Sequence, residues 1–270
     1  MTVHSTHTVE LSSYEVTKRF REGSVPEAER EWRALELLAA HAPGLTPVPL
    51  GAEFDGTAPL IRMTRLPGDP LRGLAQQTAA VDALAEAVSR LHAALPPPVL
   101  ATVPRRPDGP DALTRWLRSR TSRVRPLPHG PVDAAMRAGL RWLDRSRVRD
   151  VPGDVREVFG GGDGNLANYL WDGARGRIVD FEDSGRSDRA FELAEITEHV
   201  GSWVRGPLDV PAFLARFDLT PAESARLREC RRLLALVWLV LLWADEAGEH
   251  PRNPPGTAGR QAARLAELLG

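Results

Sequence analysis

Residues 14–20, Tyr-Glu-Val-Thr-Lys-Arg-Phe, alternate as a half-buried strand does, which sets Lys18 on the same face as Val16 and Phe20. The period then changes. Ser24 and Glu27 have the spacing of a capping box around Pro26, and residues 27–41 carry good helix formers with Trp32, Leu35 and Leu38 at helical spacing. Pro43-Gly44 stops that helix, and residues 48–54 and 60–64 are the next strand candidates. The first part of the chain therefore reads as strands around one helix that packs on their sheet.

Leu66-Pro67-Gly68-Asp69-Pro70 is dense punctuation, and beyond it the pattern becomes helical. Val81, Leu84, Ala85, Val88, Leu91 and Leu95 share one helical face, closed by three prolines at 96–98. Further helices are expected at 111–120, 132–145, 191–204, 211–217, 221–247 and 257–269, with 104–110 a polar, proline-rich surface loop. The expected fold is α+β in two lobes. Residues 1–66 form a small β-rich N-lobe and 67–270 a larger, mostly helical C-lobe.

A chain of 270 residues has room for two lobes sharing a cleft, and 42% hydrophobic with 26% charged residues is the composition of a globular protein. The net charge of -1 gives no global attraction to nucleic acid or to an anionic membrane. The longest apolar run, 233–244, is shorter than the roughly 18 to 20 residues a bilayer requires. A polar start and a single cysteine, Cys230, point to the cytoplasm. Nothing in the pattern specifies an oligomeric state. Of 35 Lys plus Arg, Lys18 alone is lysine.

The chemistry concentrates in Val-Phe-Gly-Gly-Gly-Asp-Gly-Asn-Leu-Ala-Asn-Tyr-Leu-Trp-Asp-Gly, residues 158–173, continuing to Val179-Asp180-Phe181-Glu182. Strands at 169–171 and 177–181 with a turn at 172–176 form a hairpin. Reflection about Ala174 sets Asn168 opposite Asp180, an amide oxygen and a carboxylate that suit Mg²⁺. Asp163, on the glycine-rich loop five residues before Asn168, points into the same space and suits a catalytic carboxylate that orients a hydroxyl and takes its proton. Two plainer readings stand beside this one. The glycines also fit a flexible turn, and they resemble one calcium-binding glycine–aspartate repeat, although a single copy builds no solenoid.

These spacings resemble those of the aminoglycoside phosphotransferase and choline kinase families, small-molecule kinases with the protein-kinase-like fold. The resemblance covers residues 14–204. It implies that Asp163 is the catalytic base, that Asn168 and Asp180 hold Mg²⁺, and that Lys18 holds the α- and β-phosphates of ATP or GTP. It further implies that Glu31 pairs with Lys18 and that 63–69 is the hinge, with Met63 and Arg65 beside the adenine. Leu91-His92 resembles the helix end before the catalytic segment, and 184–194 the stretch after the metal aspartate. Taken alone, Glu31 reads as a solvated charge, His92 as a structural residue, and Asp188 and Glu192 as braces. The sequence departs from the family at Gly161, where a histidine is usual, and in having no glycine before Lys18 for a phosphate-covering turn.

The implied activity is transfer of a γ-phosphate to a hydroxyl of a small molecule. Between 154 and 198 acids outnumber arginines, which favours a cationic acceptor such as an aminoglycoside or another amine-bearing antibiotic. Two alternatives follow from the same residues: a kinase-like protein that binds without transferring, suggested by the two departures, and a metabolic kinase acting on an amino alcohol or sugar.

Overall fold

The computed structural model describes residues 3–4, 7–55, 58–74, 77–121 and 130–270. Its first part is an antiparallel five-stranded sheet of β1 (Val3–His4), β2 (Thr8–Leu11), β3 (Glu15–Arg19), β4 (Pro49–Glu53) and β5 (Leu60–Thr64), in the order β1-β2-β3-β5-β4. Between β3 and β4 runs α1 (Val25–His41). Lys18 lies in the middle strand, opposite Val9 on one side and Ile61 on the other. Backbone pairing on both edges therefore fixes its position.

Helix α1 turns Ala28, Glu31, Ala34, Leu35 and Leu38 inward at helical spacing. It starts without the expected capping box: Ser24 has φ -91° and ψ 32°, outside the extended region of an N-cap residue, and its hydroxyl accepts from no N–H of the first turn. Pro26 instead presets the first turn and removes one N–H that would need a partner. Glu31 is buried rather than solvated.

Beyond Thr64, the expected linker contains β6 (Asp69–Pro70), which pairs with the later hairpin. Helix α2 (Thr78–Ala93) buries Val81, Leu84, Ala85, Val88 and Leu91, and the prolines expected only to end it open a new helix, α3 (Pro97–Thr102). Proline at a first helical position costs no intrahelical bond, so the same residues stop one helix and begin the next. Next come α4 (Pro110–Thr121) and α5 (Pro131–Arg145).

Four short strands follow: β7 (Glu157–Gly160), β8 (Tyr169–Trp171), β9 (Gly176–Ile178) and β10 (Gly185–Asp188), paired as β6-β8-β9 and β10-β7. Helix α6 (Arg189–Glu198) ends before the expected 204, because His199 is extended at ψ 136° and caps a 3₁₀ turn at Val200–Ser202. After α7 (Val210–Leu214), the apolar run 233–244 falls inside α8 (Pro221–Glu246), buried around most of its circumference against α5, α6 and α9 (Thr257–Leu269). Among the described residues no helix is long and apolar enough to cross a membrane.

One apolar cluster runs from Phe20, Leu35 and Ile61 through Leu84 and Leu91 to Phe181, Phe191 and Leu233. The sheet and the helices thus share a continuous core behind the hairpin. In the last turn of α2, His92 Nδ1 is buried without a hydrogen-bond partner, and burial pushes the ring's pKa from 6.5 down to about 4. The folded state therefore keeps His92 neutral while the unfolded chain takes up a proton below pH 6.5. Its contribution is fully present above that pH and is lost as the pH falls towards 4. In His92→Leu this loss is absent, so urea unfolding should show wild type losing up to roughly 3 kcal/mol more than the variant between pH 7 and pH 4. A constant difference across that range would mean that His92 titrates normally.

Candidate active site

Three chain segments meet at one ammonium. Lys18 Nζ donates to Glu31 Oε2 and to Asp180 Oδ1, both at 2.6 Å, and lies 2.7 Å from Glu182 Oε2. Burial alone would lower the lysine's pKa, but Glu31, Asp180 and Glu182 together outweigh it and hold the ammonium well above the usual lysine value. Glu182 is fixed by two further contacts. Arg30 Nε on α1 donates to its carbonyl at 2.6 Å, and His7 Nε2 lies 3.0 Å from its carboxylate. His7 Nδ1 accepts from Arg21 N, so in the neutral ring Nε2 carries the hydrogen that faces Glu182.

The hairpin sets Asp180 in place, with a register one residue from the expected one. Trp171 pairs with Gly176 and Tyr169 with Ile178, so Asn168 faces Val179, whose N–H donates to Asn168 O at 2.9 Å. The turn is 172–175, closed by Asp172 Oδ1 accepting from Ala174 N and Arg175 N, and β9 ends at Ile178 rather than 181. Gly176 pairs with Trp171 as the first residue of β9, and α2 leaves no space for a side chain there: a Cβ would lie 2.3 Å from Ala83 O. Asp180 has φ 72° and is the non-glycine residue with positive φ among those described. That twist takes the chain out of the strand and turns the carboxylate towards Lys18.

Asp163 is held next to the hairpin. Its Oδ1 accepts from Asn165 N and its Oδ2 from Asn168 Nδ2, each at 2.9 Å. His199 Nε2 stands 3.5 Å from Oδ1. Because His199 Nδ1 accepts from Gly201 N, the neutral ring carries its hydrogen on the side facing Asp163, and burial lowers its pKa and keeps it neutral. The loop that carries Asp163 packs on α6: a Cβ at Gly164 would lie 2.2 Å from the Glu195 carbonyl carbon, and Gly162 adopts φ 87° against the Asp183 carbonyl.

The structure thus joins Lys18 to Glu31 and Asp180, and Asn168 to Asp163. Met63 lies in β5 opposite Val16, and Arg65 follows it. Arg65 N already donates to Tyr14 O at 2.8 Å and so cannot offer that N–H to a ligand. Between β1 and β2 the connection is residues 5–7, of which Ser5 and Thr6 lie outside the described residues. Asp188 caps α6 by accepting from Phe191 N and pairs with Arg226, and Glu192 pairs with Arg106; both brace the segment as expected.

Sequence reasoning missed Glu182, Arg30, His7, Arg106 and His199. Spacing could have flagged Glu182, two residues from Asp180, and Arg30, next to Glu31, but the others reach the site from distant segments. Arg106 also corrects the reading of 104–110 as a surface loop, since its guanidinium is buried between Glu192 and Glu195. A depression of about 900 Å³ lies elsewhere, between α5 and α8 beside Arg141, Trp142 and Arg147, and contains none of these groups.

Residues 4–230 match the model of the phosphotransferase enzyme family. Among similar solved structures is a choline/ethanolamine kinase family protein from Mesorhizobium loti, at 19% identity, 99% of this chain, 86% of that one and TM-score 0.65. Choline kinase LicA from Streptococcus pneumoniae is similar at 15% identity, 99% and 92% coverage and TM-score 0.62. A thermostable mutant of aminoglycoside phosphotransferase APH(4)-Ia, in a ternary complex with AMP-PNP and hygromycin B, is similar at 15% identity, 100% and 92% coverage and TM-score 0.64. At such identities these likenesses establish the fold. No curated protein matches the chain. With most of its length matched, the chain belongs to the phosphotransferase enzyme family and has its protein-kinase-like, two-lobed fold.

Proposed function

We propose that the protein moves the γ-phosphate of ATP or GTP, with Mg²⁺, onto a hydroxyl of a small molecule. The observation that carries this reading is the bonding of Lys18 to both Glu31 and Asp180 beside an Asn168 that donates to Asp163. Lys18 holds the α- and β-phosphates, and Glu31 sets its direction. Lys18 stays charged at any working pH, so it is a fixed positive end for a polyphosphate. Met63 and Arg65 lie beside the adenine, and because the Arg65 N–H is taken, a backbone donor to the ring comes from another residue of 63–69.

The donor chemistry fits Mg²⁺. Asp180 offers a partly exposed carboxylate, and Asn168, having given Nδ2 to Asp163, keeps its amide oxygen for a hard cation. The ion would neutralise phosphate charge as the bond to the leaving nucleotide breaks. Asp163 accepts the hydrogen bond of the attacking hydroxyl, holds it in line and takes its proton late. Two hydrogen bonds keep that carboxylate from rotating away.

A cationic acceptor fits the charge around Asp163. Burial pushes Asp183 up to about 6, with Glu182, Asp108 and Asp163 adding to the effect and Arg106 opposing it, so carboxyl groups crowd this rim. Aminoglycosides, other amine-bearing antibiotics and amino alcohols are therefore the first acceptors to test. The short, glycine-free connection between β1 and β2 favours a second reading, a kinase-like protein that binds without transferring.

Titration calorimetry with and without Mg²⁺ separates these readings at the nucleotide step. Wild type should bind ATP or GTP more tightly with Mg²⁺, and Asp180→Ala should lose that gain; no binding of either nucleotide would remove the proposal. Asp163→Asn should keep nucleotide affinity within about twofold while kcat falls by about 10² to 10⁴. An unchanged kcat would strip Asp163 of its role, and wild type that binds nucleotide but transfers to no acceptor would favour the binding protein.

A further inference from the structure

Asp163 sits in a loop with little stiffness of its own, because Gly160, Gly161, Gly162 and Gly164 surround it and glycine samples far more backbone conformations than other residues. Some of these glycines are imposed by packing: a Cβ at Gly160 would lie 2.2 Å from the Glu192 carboxyl carbon. Gly161 is different. A Cβ there would meet only Leu91 Cδ2, at 3.8 Å, so the loop has space at this position and no side chain to brace it from within.

A brace reaches the loop from a distant segment. Arg106 Nη2 donates to Gly162 O at 2.7 Å, the carbonyl next to Asp163, and also reaches Glu195 Oε1 at 3.2 Å. Its Nη1 donates to Glu192 Oε1 at 2.9 Å, and the Phe191 ring lies 4.8 Å from the guanidinium carbon. The side chain is 3% exposed. Its own backbone is tied to β10, with Arg106 N donating to Arg186 O and Arg186 N to Pro104 O. Gly185 permits that approach, since a Cβ there would lie 2.6 Å from Arg106 N.

We infer that Arg106 is a positioning residue for phosphoryl transfer, its planar fork spanning the Gly162 carbonyl and the α6 carboxylates so that the glycine loop presents Asp163 in one orientation. The inference rests on the reading of Asp163 as the base. Lysine cannot replace the fork, because one ammonium has no fixed plane in which to hold both α6 and the loop. Arg106 makes no contact with Lys18, Glu31 or Asp180 among its described bonds. Loss of the brace should therefore spare nucleotide binding and act on turnover.

The test compares wild type, Arg106→Lys, Arg106→Ala and, as a control, Arg105→Ala, whose side chain is 65% exposed. Hydrogen exchange is read over 158–168, nucleotide Kd by calorimetry, and kcat with the best acceptor or with water as acceptor. In Arg106→Lys, loop amides should exchange about tenfold faster while the other segments do not change. Nucleotide Kd should stay within about twofold and kcat fall about a hundredfold. Methylguanidine should restore part of the turnover of Arg106→Ala, and Arg105→Ala should match wild type. A folded Arg106→Lys with wild-type loop exchange and kcat overturns the inference. So does a variant whose loss of kcat is matched by weaker nucleotide binding and faster exchange throughout, because Arg106 would then only hold the fold. If wild type transfers phosphate to no acceptor, the transferase reading fails while loop exchange still decides what Arg106 does.

Discussion

A buried ammonium ringed by three carboxylates is the interaction on which the rest of the site depends. Lys18 comes from the middle of the N-terminal sheet, Glu31 from the helix packed on it, and Asp180 and Glu182 from the chain leaving the hairpin. Removing that ammonium from water costs several kcal/mol by itself, and the carboxylates offset this only while they surround it. Burial pushes the Glu31 carboxyl up to about 7 against the pull of Lys18, and Asp180 and Glu182 share the same ammonium, so the cluster has room for more positive charge. The arrangement links the two parts of the molecule and also leaves the carboxylates in want of a cation.

The opposite side of the site is held by shape. The chain on either side of Asp163 lies so close to α6 that a side chain at Gly160 or Gly164 would overlap Glu192 or the Glu195 carbonyl. Helix α6 in turn rests on α8, whose apolar run fills the centre of the helical part. Burial pushes the Glu195 carboxyl up to about 8 even with Arg106 beside it. Asp163, about a third exposed, thus stands at the edge of a packed support, where small shifts of the support move the carboxylate.

Much of this arrangement was legible in the sequence wherever it is written in local period. Strand 60–64, the α1 face of Leu35 and Leu38 and the α8 run all follow from spacing that burial enforces. Strands β7 and β10 were not legible, because Gly185-Arg186-Ser187-Asp188 has no apolar alternation and becomes a strand by pairing with 157–160. The hairpin register slipped by one for a related reason. Gly176 reads as a turn residue, yet it pairs in the strand and is glycine because α2 leaves no space for a Cβ, a tertiary fact that local reading cannot contain. Ser24 shows the converse: the capping-box letters are present, but the backbone angle that would use them is not.

The same limit explains why Gly161 looks like a defect in the sequence. Motif reading compares a position with what usually stands there, so a missing side chain is scored as missing function. What the loop needs is a donor at the carbonyl beside Asp163, and the physics does not specify the segment that supplies it. Arg106 supplies it across 56 residues of sequence, from a stretch whose prolines and charges have the composition of a surface loop. A substitution inside a motif is therefore weak evidence of lost activity until the long-range contacts of its neighbours are known. In this chain those contacts show the loop around Asp163 braced from outside its own motif.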